Sequence, residues 1–189
     1  VNAPSVYATR TVASCGVPVS TAVAAGISAI GEYHGGAGEA CNRMLTKYLQ
    51  DYPGKYFPEI AISLVKDYQQ KGARIPGLGH RVYKGEDPRA RKLIVLAKKW
   101  ELNGDAIALL EALSSAWEIQ VGQHLSINID GAQGAILYDL GIPSDQAKGL
   151  FIIGRAAGLN AHAAEQIKLN QPFGFAAPIE TDYIGPKDQ

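Results

Sequence analysis

The most informative stretch of the chain is Ile75-Pro-Gly-Leu-Gly-His-Arg-Val-Tyr-Lys-Gly-Glu-Asp-Pro-Arg-Ala-Arg91. Gly77 and Gly79 let the backbone adopt conformations closed to other residues and approach a ligand closely. His80 follows directly and adds a side chain that can transfer protons. Six basic residues stand against two acidic ones between positions 74 and 92, in a chain whose formal net charge is zero. The stretch therefore predicts a site for an anionic small molecule.

Helical patterns lie on both sides of this stretch. Apolar residues recur at helical spacing in four segments, at about 58–72, 88–100, 105–117 and 144–169. Two further helices are expected at about 20–30, in a segment rich in Ala and Gly that suits tight packing, and at about 37–49. Asp87 is a good N-cap and Pro88 a good first helical residue, whereas Gly149, Gly154 and Gly158 indicate close packing or a bend in the last helix. Alternating strand patterns are almost absent, so the predicted fold class is all-α.

Composition places the chain in the ordinary globular class, with 47% hydrophobic and 19% charged residues among 189. No apolar run is long enough to cross a membrane, and the balanced charge argues against nucleic acid. Cys15 and Cys41 form no CxxC pair and are interpreted as buried small hydrophobes. Neither HExxH nor clustered His/Cys spacing occurs, so no metal is expected. Cytoplasm is the expected location.

Two other segments carry candidate chemistry. His34 precedes a pair of glycines and a predicted helix, whose N-terminus would keep the imidazole a neutral donor. Asp130 lies between an apolar stretch and a glycine, where partial desolvation would raise its basicity. Each has a plainer interpretation, since His34 could be a cap or a core histidine and Asp130 a helix N-cap. His124 and His162 lie in helical patterns and are interpreted as structural.

Four ordered motifs resemble those of the citrate synthase superfamily, which also contains the citryl-CoA lyases and the carboxy-terminal module of ATP-citrate lyase. The first is His-Gly-Gly-Ala-x-Glu-Ala at 34–40, and the second is Pro-Gly-x-Gly-His-Arg-Val at 76–82 followed by Asp-Pro-Arg at 87–89. The third is Asn-x-Asp at 128–130 followed by Gly-Ile-Pro at 141–143. The fourth is an Arg at 155 followed by Ala-His at 161–162 and Glu-Gln at 165–166. The resemblance covers nearly the whole chain. It implies a citrate-synthase-like multihelical bundle, with a short apolar helix after the Asn-x-Asp motif.

The resemblance implies roles for individual residues. Asp130 would remove a methyl proton from an acetyl thioester, while His34 donates a hydrogen bond to the thioester carbonyl. His80 would polarise the ketone of oxaloacetate and protonate the new alkoxide; in the cleavage direction it would remove the proton of the citryl hydroxyl. Arg89 and Arg155 match arginines that hold substrate carboxylates.

The resemblance also implies that the cofactor is coenzyme A, bound as a thioester. The loop that receives its adenine corresponds to Ile75, Pro76, Gly77, Leu78 and Gly79, and Lys84 corresponds to a cation near its phosphates. The other small-molecule partner would be a dicarboxylic or tricarboxylic acid. A homodimer with the active site at the interface is expected. The predicted organisation is a catalytic region at 1–170, including a small lobe at about 35–130, and an extended arm at 171–189.

Three departures from the family pattern affect the functional prediction. The family has a substrate-binding histidine just before the position of Asn2-Ala3, so part of the N-terminal helices is expected to be missing. Ala177 stands where many citrate synthases carry an arginine that crosses the dimer interface, and Gly38 replaces the usual Asn of the first motif. The short chain and Ala177 favour a citryl-CoA lyase-like enzyme. A citrate synthase acting on oxaloacetate or a related 2-oxo acid, a catalytically silent homologue that binds coenzyme A, and an inactive fragment are the alternatives.

Overall fold

The computed structural model describes residues 3–54, 56–102 and 104–173. Within these ranges the chain forms eight helices: α1 Pro4–Ser14, α2 Val19–Ser28, α3 Ala37–Asp51, α4 Phe57–Gln70, α5 Pro88–Lys99, α6 Asp105–Val121, α7 Ile129–Asp139 and α8 Ser144–Leu169. The same ranges contain no strand, only an antiparallel bridge between Leu78 and Ile127. The predicted all-α class is confirmed.

The helices predicted from spacing are present, and the bounds of α8 agree with the prediction. α5 begins at Pro88, and the Asp87 side chain accepts a hydrogen bond from the Arg89 amide as its N-cap, as predicted. α7 follows the Asn-x-Asp motif, where the resemblance implied a short helix. α1 was not predicted. Periodicity therefore predicted four of the eight helices of the described residues, and the two further expected helices correspond to α2 and α3.

The structure divides into two compact units. One contains α1, α2 and the part of α8 from Arg155 onward, and the other spans Gly31–Gly154. The predicted boundaries of the catalytic region and its small lobe stay a prediction. Most of the predicted arm, including Ala177, lies outside the described residues.

In the unit that contains α1 and α2, these two helices pack closely at Gly26. A Cβ added there would lie 1.9 Å from the Thr9 hydroxyl oxygen and 2.7 Å from the Ser5 carbonyl oxygen. The close packing expected of the Ala- and Gly-rich segment is therefore confirmed. Arg10 ties α1 to α8, with its Nη1 2.6 Å from a carboxylate oxygen of Glu165 and its Nε 3.1 Å from Oε1 of Gln166.

The second unit has the larger apolar core, built mainly from α3, α4 and α6. Its fully buried members include Leu45, Leu64, Ile107, Leu110 and Leu113. α7 packs on α3, where the Asn42 side-chain amide donates to the Gly134 carbonyl at 3.0 Å. A Cβ at Gly134 would lie 2.7 Å from the Gly38 carbonyl oxygen. This contact brings the beginning of α3 against the first turns of α7.

Nothing described lies within 4 Å of a Cβ added at Gly149, Gly154 or Gly158, so the close-packing alternative for these glycines is not confirmed within the described chain, and the bend stays a prediction. The expectation for one cysteine is wrong. Cys15 is exposed, whereas Cys41 is buried as expected. None of the helices in the described ranges is long and apolar enough to cross a membrane.

Candidate active site

The glycine loop at 75–79 is held against the segment that leads into α7. The Gly79 amide donates to the Ser126 carbonyl at 2.7 Å, and the Asn128 amide donates to the Gly77 carbonyl at 2.9 Å. The Asn128 side chain adds a donation to the Gly79 carbonyl at 2.6 Å. Gly77 and Gly79 have φ values of 89° and 72°, in the left-handed region that glycine tolerates best. The sequence expectation that these glycines permit unusual backbone geometry is confirmed.

Gly77 and Gly131 bring the loop and α7 into direct backbone contact. A Cβ on Gly131 would lie 2.3 Å from the Gly77 carbonyl oxygen, and one on Gly77 would lie 2.6 Å from the Sγ atom of Cys41. Burial, with a smaller contribution from the nearby Asp130 carboxylate, raises the pKa of the Cys41 thiol to about 12. The loop, α3 and α7 therefore meet at small side chains with no room for larger ones.

Asp130 lies in the first turn of α7, where its carboxylate is not the cap. The N-cap is Asn128, whose Oδ1 accepts a hydrogen bond from the Gly131 amide at 2.9 Å. The interpretation of Asp130 as an N-cap is therefore wrong. Burial raises the pKa of Asp130, while electrostatic interactions with Arg89 and His80 partly oppose the increase. The resulting carboxylate is half-buried, close to two basic side chains and more basic than an ordinary aspartate.

Asp87 joins the beginnings of α5 and α7. Its side chain is fully buried and accepts four N–H groups: the amide, Nε and Nη2 of Arg89 at 3.0, 3.0 and 2.8 Å, and the Ile129 amide at 3.0 Å. These hydrogen bonds, led by those from the Arg89 side chain, lower the pKa of Asp87 to about 2. One carboxylate thus orients the guanidinium and also holds the residue that precedes Asp130.

His80 has N–H donors facing both of its ring nitrogens. Its Nδ1 faces the amides of Val82 and Tyr83 at 3.1 and 3.2 Å, and its Nε2 lies 3.2 Å from Nη2 of Arg89. A neutral imidazole accepts at only one nitrogen. The two amides favour Nδ1 as the acceptor, which assigns the proton to Nε2. His80 and Arg89 then present two N–H donors to the same small region, where a ligand oxygen could accept both.

Tyr83 is a site residue that the sequence reasoning missed. Its ring lies 5.0 Å from the His80 ring, and the Cζ of Arg89 lies 5.1 Å from its centroid. An aromatic residue inside a glycine- and cation-rich loop was the available signal, but no spacing rule connected it with its two neighbours.

His34 lies in the loop before α3, near the N-terminal end of α3, which packs against α7. The ring of His34 is edge-on to Phe151, with centroids 6.3 Å apart, and its carbonyl accepts the Gly31 amide at 2.9 Å. A Cβ at Gly38, in the first turn of α3, would lie 3.6 Å from the Asp130 carbonyl oxygen. Neighbouring Glu39 pairs with Arg43 and, at 2.9 Å, with Lys148 of α8.

A cavity of about 600 Å³ opens beside the loop. Among the predicted site residues it reaches Ile75, Leu78, Gly79, His80 and Lys84, and its wall also includes Arg74, Arg81, Tyr83, His124, Leu125 and Ser126. Three permanent cations face a partly apolar cavity, which suits a ligand with an anionic part and a flat or apolar part. Arg155 belongs to the other compact unit, where its Nη1 donates to the Ser5 hydroxyl at 3.2 Å.

The family model for the citrate synthase C-terminal domain matches residues 2–174. The chain belongs to the citrate synthase family. The citrate synthase of Corynebacterium glutamicum is 31% identical over 95% of this chain and 43% of its own length. The curated relatives that it matches are about twice its length, since the match covers 47% or less of those with the strongest similarity.

Solved structures of citrate synthase family enzymes share the fold. Citryl-CoA lyase from Hydrogenobacter thermophilus matches with a TM-score of 0.88 and 35% identity, covering 100% of this chain and 72% of that one. Citrate synthase from Thermotoga maritima matches with a TM-score of 0.78 and 26% identity, covering 100% of this chain and 50% of that one. The predicted resemblance to the superfamily is confirmed.

Proposed function

We propose that the chain carries the acid/base machinery of a citryl-CoA lyase, which cleaves citryl-CoA to acetyl-CoA and oxaloacetate. The observation that carries this proposal is the cluster of His80, Arg89 and Asp130. It combines two N–H donors for one oxygen with a partly desolvated carboxylate. Breaking a carbon–carbon bond next to a thioester needs both, because negative charge first lies on an oxygen and then on an enolate. The similarity to the H. thermophilus lyase supports the direction of cleavage.

Cleavage begins at the oxygen of the citryl hydroxyl group. As its proton leaves for solvent, Nε2–H of His80 and Nη2 of Arg89 stabilise the developing alkoxide, which becomes the ketone of oxaloacetate. The tautomer favoured by the Val82 and Tyr83 amides suits a hydrogen-bond donor. It does not suit a base that removes the hydroxyl proton, the role that the family resemblance implied for His80 in the cleavage direction. Charge-assisted donors at such a position contribute strongly to catalysis.

Asp130 handles the proton on carbon. Bond cleavage leaves the enolate of acetyl-CoA, and a protonated Asp130 donates to its methylene carbon to give the methyl group. Its raised pKa supports this role, because the carboxyl must be protonated in one direction and ionised in the other. His34 would donate a hydrogen bond to the thioester oxygen. The contact of Arg155 with a substrate carboxylate stays a prediction.

The cavity beside the glycine loop is proposed for coenzyme A. Its volume of about 600 Å³ and its cations Arg74, Arg81 and Lys84 support an adenine against the loop and phosphates at the rim. We also propose a homodimer. Exposed apolar side chains in each compact unit support it: Leu150 and Ile153 in one, and Ile167 and Leu169 in the other, are more than a third exposed. Light scattering of the purified protein would measure the subunit number.

The direct test supplies the chain with citryl-CoA, and separately with acetyl-CoA plus oxaloacetate. A lyase releases acetyl-CoA from the first, whereas a citrate synthase releases free coenzyme A from the second. In the lyase, Asp130→Asn should abolish cleavage while coenzyme A binding is retained. Asp145→Asn is the matched control, because Asp145 also lies in the first turn of a helix but is exposed. Binding without reaction or exchange of the acetyl methyl protons would identify a silent homologue and refute the proposal.

A further inference from the structure

Tyr83 contacts both members of the donor pair. Its ring lies 5.0 Å from the His80 ring at a tilt of 38°, and the Arg89 guanidinium lies over its face at 5.1 Å. Its backbone amide donates to Nδ1 of His80 at 3.2 Å. One residue therefore touches the imidazole by its ring and by its amide, and supports the guanidinium as well.

The donor pair needs such support because neither member binds the other. Nε2 of His80 and Nη2 of Arg89 are 3.2 Å apart, and with the His80 proton on Nε2 both nitrogens are donors, so neither accepts a hydrogen bond from the other. The Asp87 carboxylate accepts hydrogen bonds from Nε and Nη2 of the guanidinium. An aromatic face attracts a cation by its quadrupole, so the Tyr83 ring also holds the guanidinium in place. The same ring restricts rotation of the imidazole, which keeps Nδ1 toward the backbone amides.

We propose that Tyr83 is a positioning residue that keeps His80 protonated on Nε2 and keeps Arg89 beside it, so that one ligand oxygen binds both donors. The inference rests on the proposed function and deepens it. The oxygen concerned is the ketone oxygen of a 2-oxo dicarboxylate or the alkoxide that it becomes. The contacts of Tyr83 with His80 and Arg89 involve the aromatic ring, so the ring rather than the hydroxyl should matter.

The test compares the wild type with Tyr83→Leu, which removes the ring, and Tyr83→Phe, which retains it. Nitrogen NMR of histidine-labelled protein reports the tautomer directly. The chain has only four histidines, so His80→Gln assigns the signal of His80. We expect one Nε2–H tautomer in the wild type, a mixture in Tyr83→Leu and recovery of the single tautomer in Tyr83→Phe. Circular dichroism and thermal unfolding establish that the Leu variant is folded.

Binding provides the second readout. Calorimetry with oxaloacetate should show an affinity about tenfold weaker in Tyr83→Leu, equivalent to about 1.4 kcal/mol, and largely recovered in Tyr83→Phe. A wild-type tautomer and affinity in folded Tyr83→Leu would overturn the inference. So would a Phe variant as impaired as the Leu variant, because the hydroxyl would then be responsible. If the tautomer responds as expected but the wild type neither binds oxaloacetate nor cleaves citryl-CoA, the positioning role stands and the proposed function fails.

Discussion

Replacing Asp87 by Asn should destabilise the protein by about 3 kcal/mol at neutral pH. Oδ1 of the new amide would still accept the amide and Nε of Arg89. The NH₂ group, however, would face Nη2 of Arg89 and the Ile129 amide, which now donate at 2.8 and 3.0 Å. Two hydrogen bonds to a charged group are lost, each worth about 1.5–3 kcal/mol. Since the Arg89 side chain is 46% exposed and can turn toward water, the lower end of that sum applies.

The effect should depend on pH with a definite sign. The pKa of Asp87 falls from 3.8 to about 2 on folding. A lowered pKa contributes stability that is fully present above the unfolded value and is lost as the pH falls through the folded value. At about 1.4 kcal/mol per pKa unit, this corresponds to about 2.5 kcal/mol, in agreement with the hydrogen-bond estimate. The difference between the wild type and Asp87→Asn should therefore shrink between about pH 4 and pH 2.

Urea unfolding of both proteins at pH 7 and at several lower pH values measures this difference. Glu86→Gln is the control, because Glu86 is an exposed neighbour paired with Arg91 at 3.4 Å. Loss of this exposed ion pair should lower the free energy of unfolding by less than about 1 kcal/mol. A cost below 0.5 kcal/mol for Asp87→Asn at pH 7, or a cost that persists unchanged at pH 2, would refute the assigned role of the buried carboxylate.

Three further predictions concern the base, the backbone contact and the thiols. The exchange rate of the acetyl-CoA methyl protons, followed by NMR in heavy water, should fall as the pH is lowered, because Asp130 must be ionised to remove a proton. Since its pKa is raised, the fall should occur at a higher pH than for an ordinary aspartate. A rate that falls only at or below pH 4 would contradict this prediction. Gly131→Ala should cost about 1–3 kcal/mol in urea unfolding, since its Cβ would meet the Gly77 carbonyl oxygen, and an unchanged midpoint would show that the contact can open. A thiol reagent should label Cys15 quickly and buried Cys41 only after unfolding, so two fast thiols in the folded protein would be inconsistent with the structure.

Sequence periodicity predicted the long helices because their buried faces are apolar. It missed α1, whose buried residues include Ser5 and Thr9, because a face that buries hydroxyls shows no apolar stripe. α7 could not be found from propensity either, since it contains Gly131 and Gly134. Both glycines are explained by backbone contacts with distant segments, which only the folded chain reveals.

The site was predicted in part for similar reasons. His80, Arg89 and Asp130 carry recognisable chemistry, and the structure brings them together. The second role of Asp87 depends on a hydrogen bond to an amide 42 positions away, and the role of Tyr83 depends on ring contacts that only the loop geometry creates. Local patterns indicate what a side chain can do, but the partners that orient it are set by tertiary packing.

The contact between Gly77 and Gly131 has a consequence for sequence variation in the family. The loop whose Ile75, Leu78 and Gly79 line the cavity and the helix that bears Asp130 meet at this backbone contact, so a larger residue at either glycine displaces both. Homologues should therefore covary at these positions and at Cys41, with small residues retained or exchanged together. Redesign of the cavity for a different acyl carrier should therefore begin at its exposed lining residues Arg74, Lys84 or His124 rather than at the two glycines.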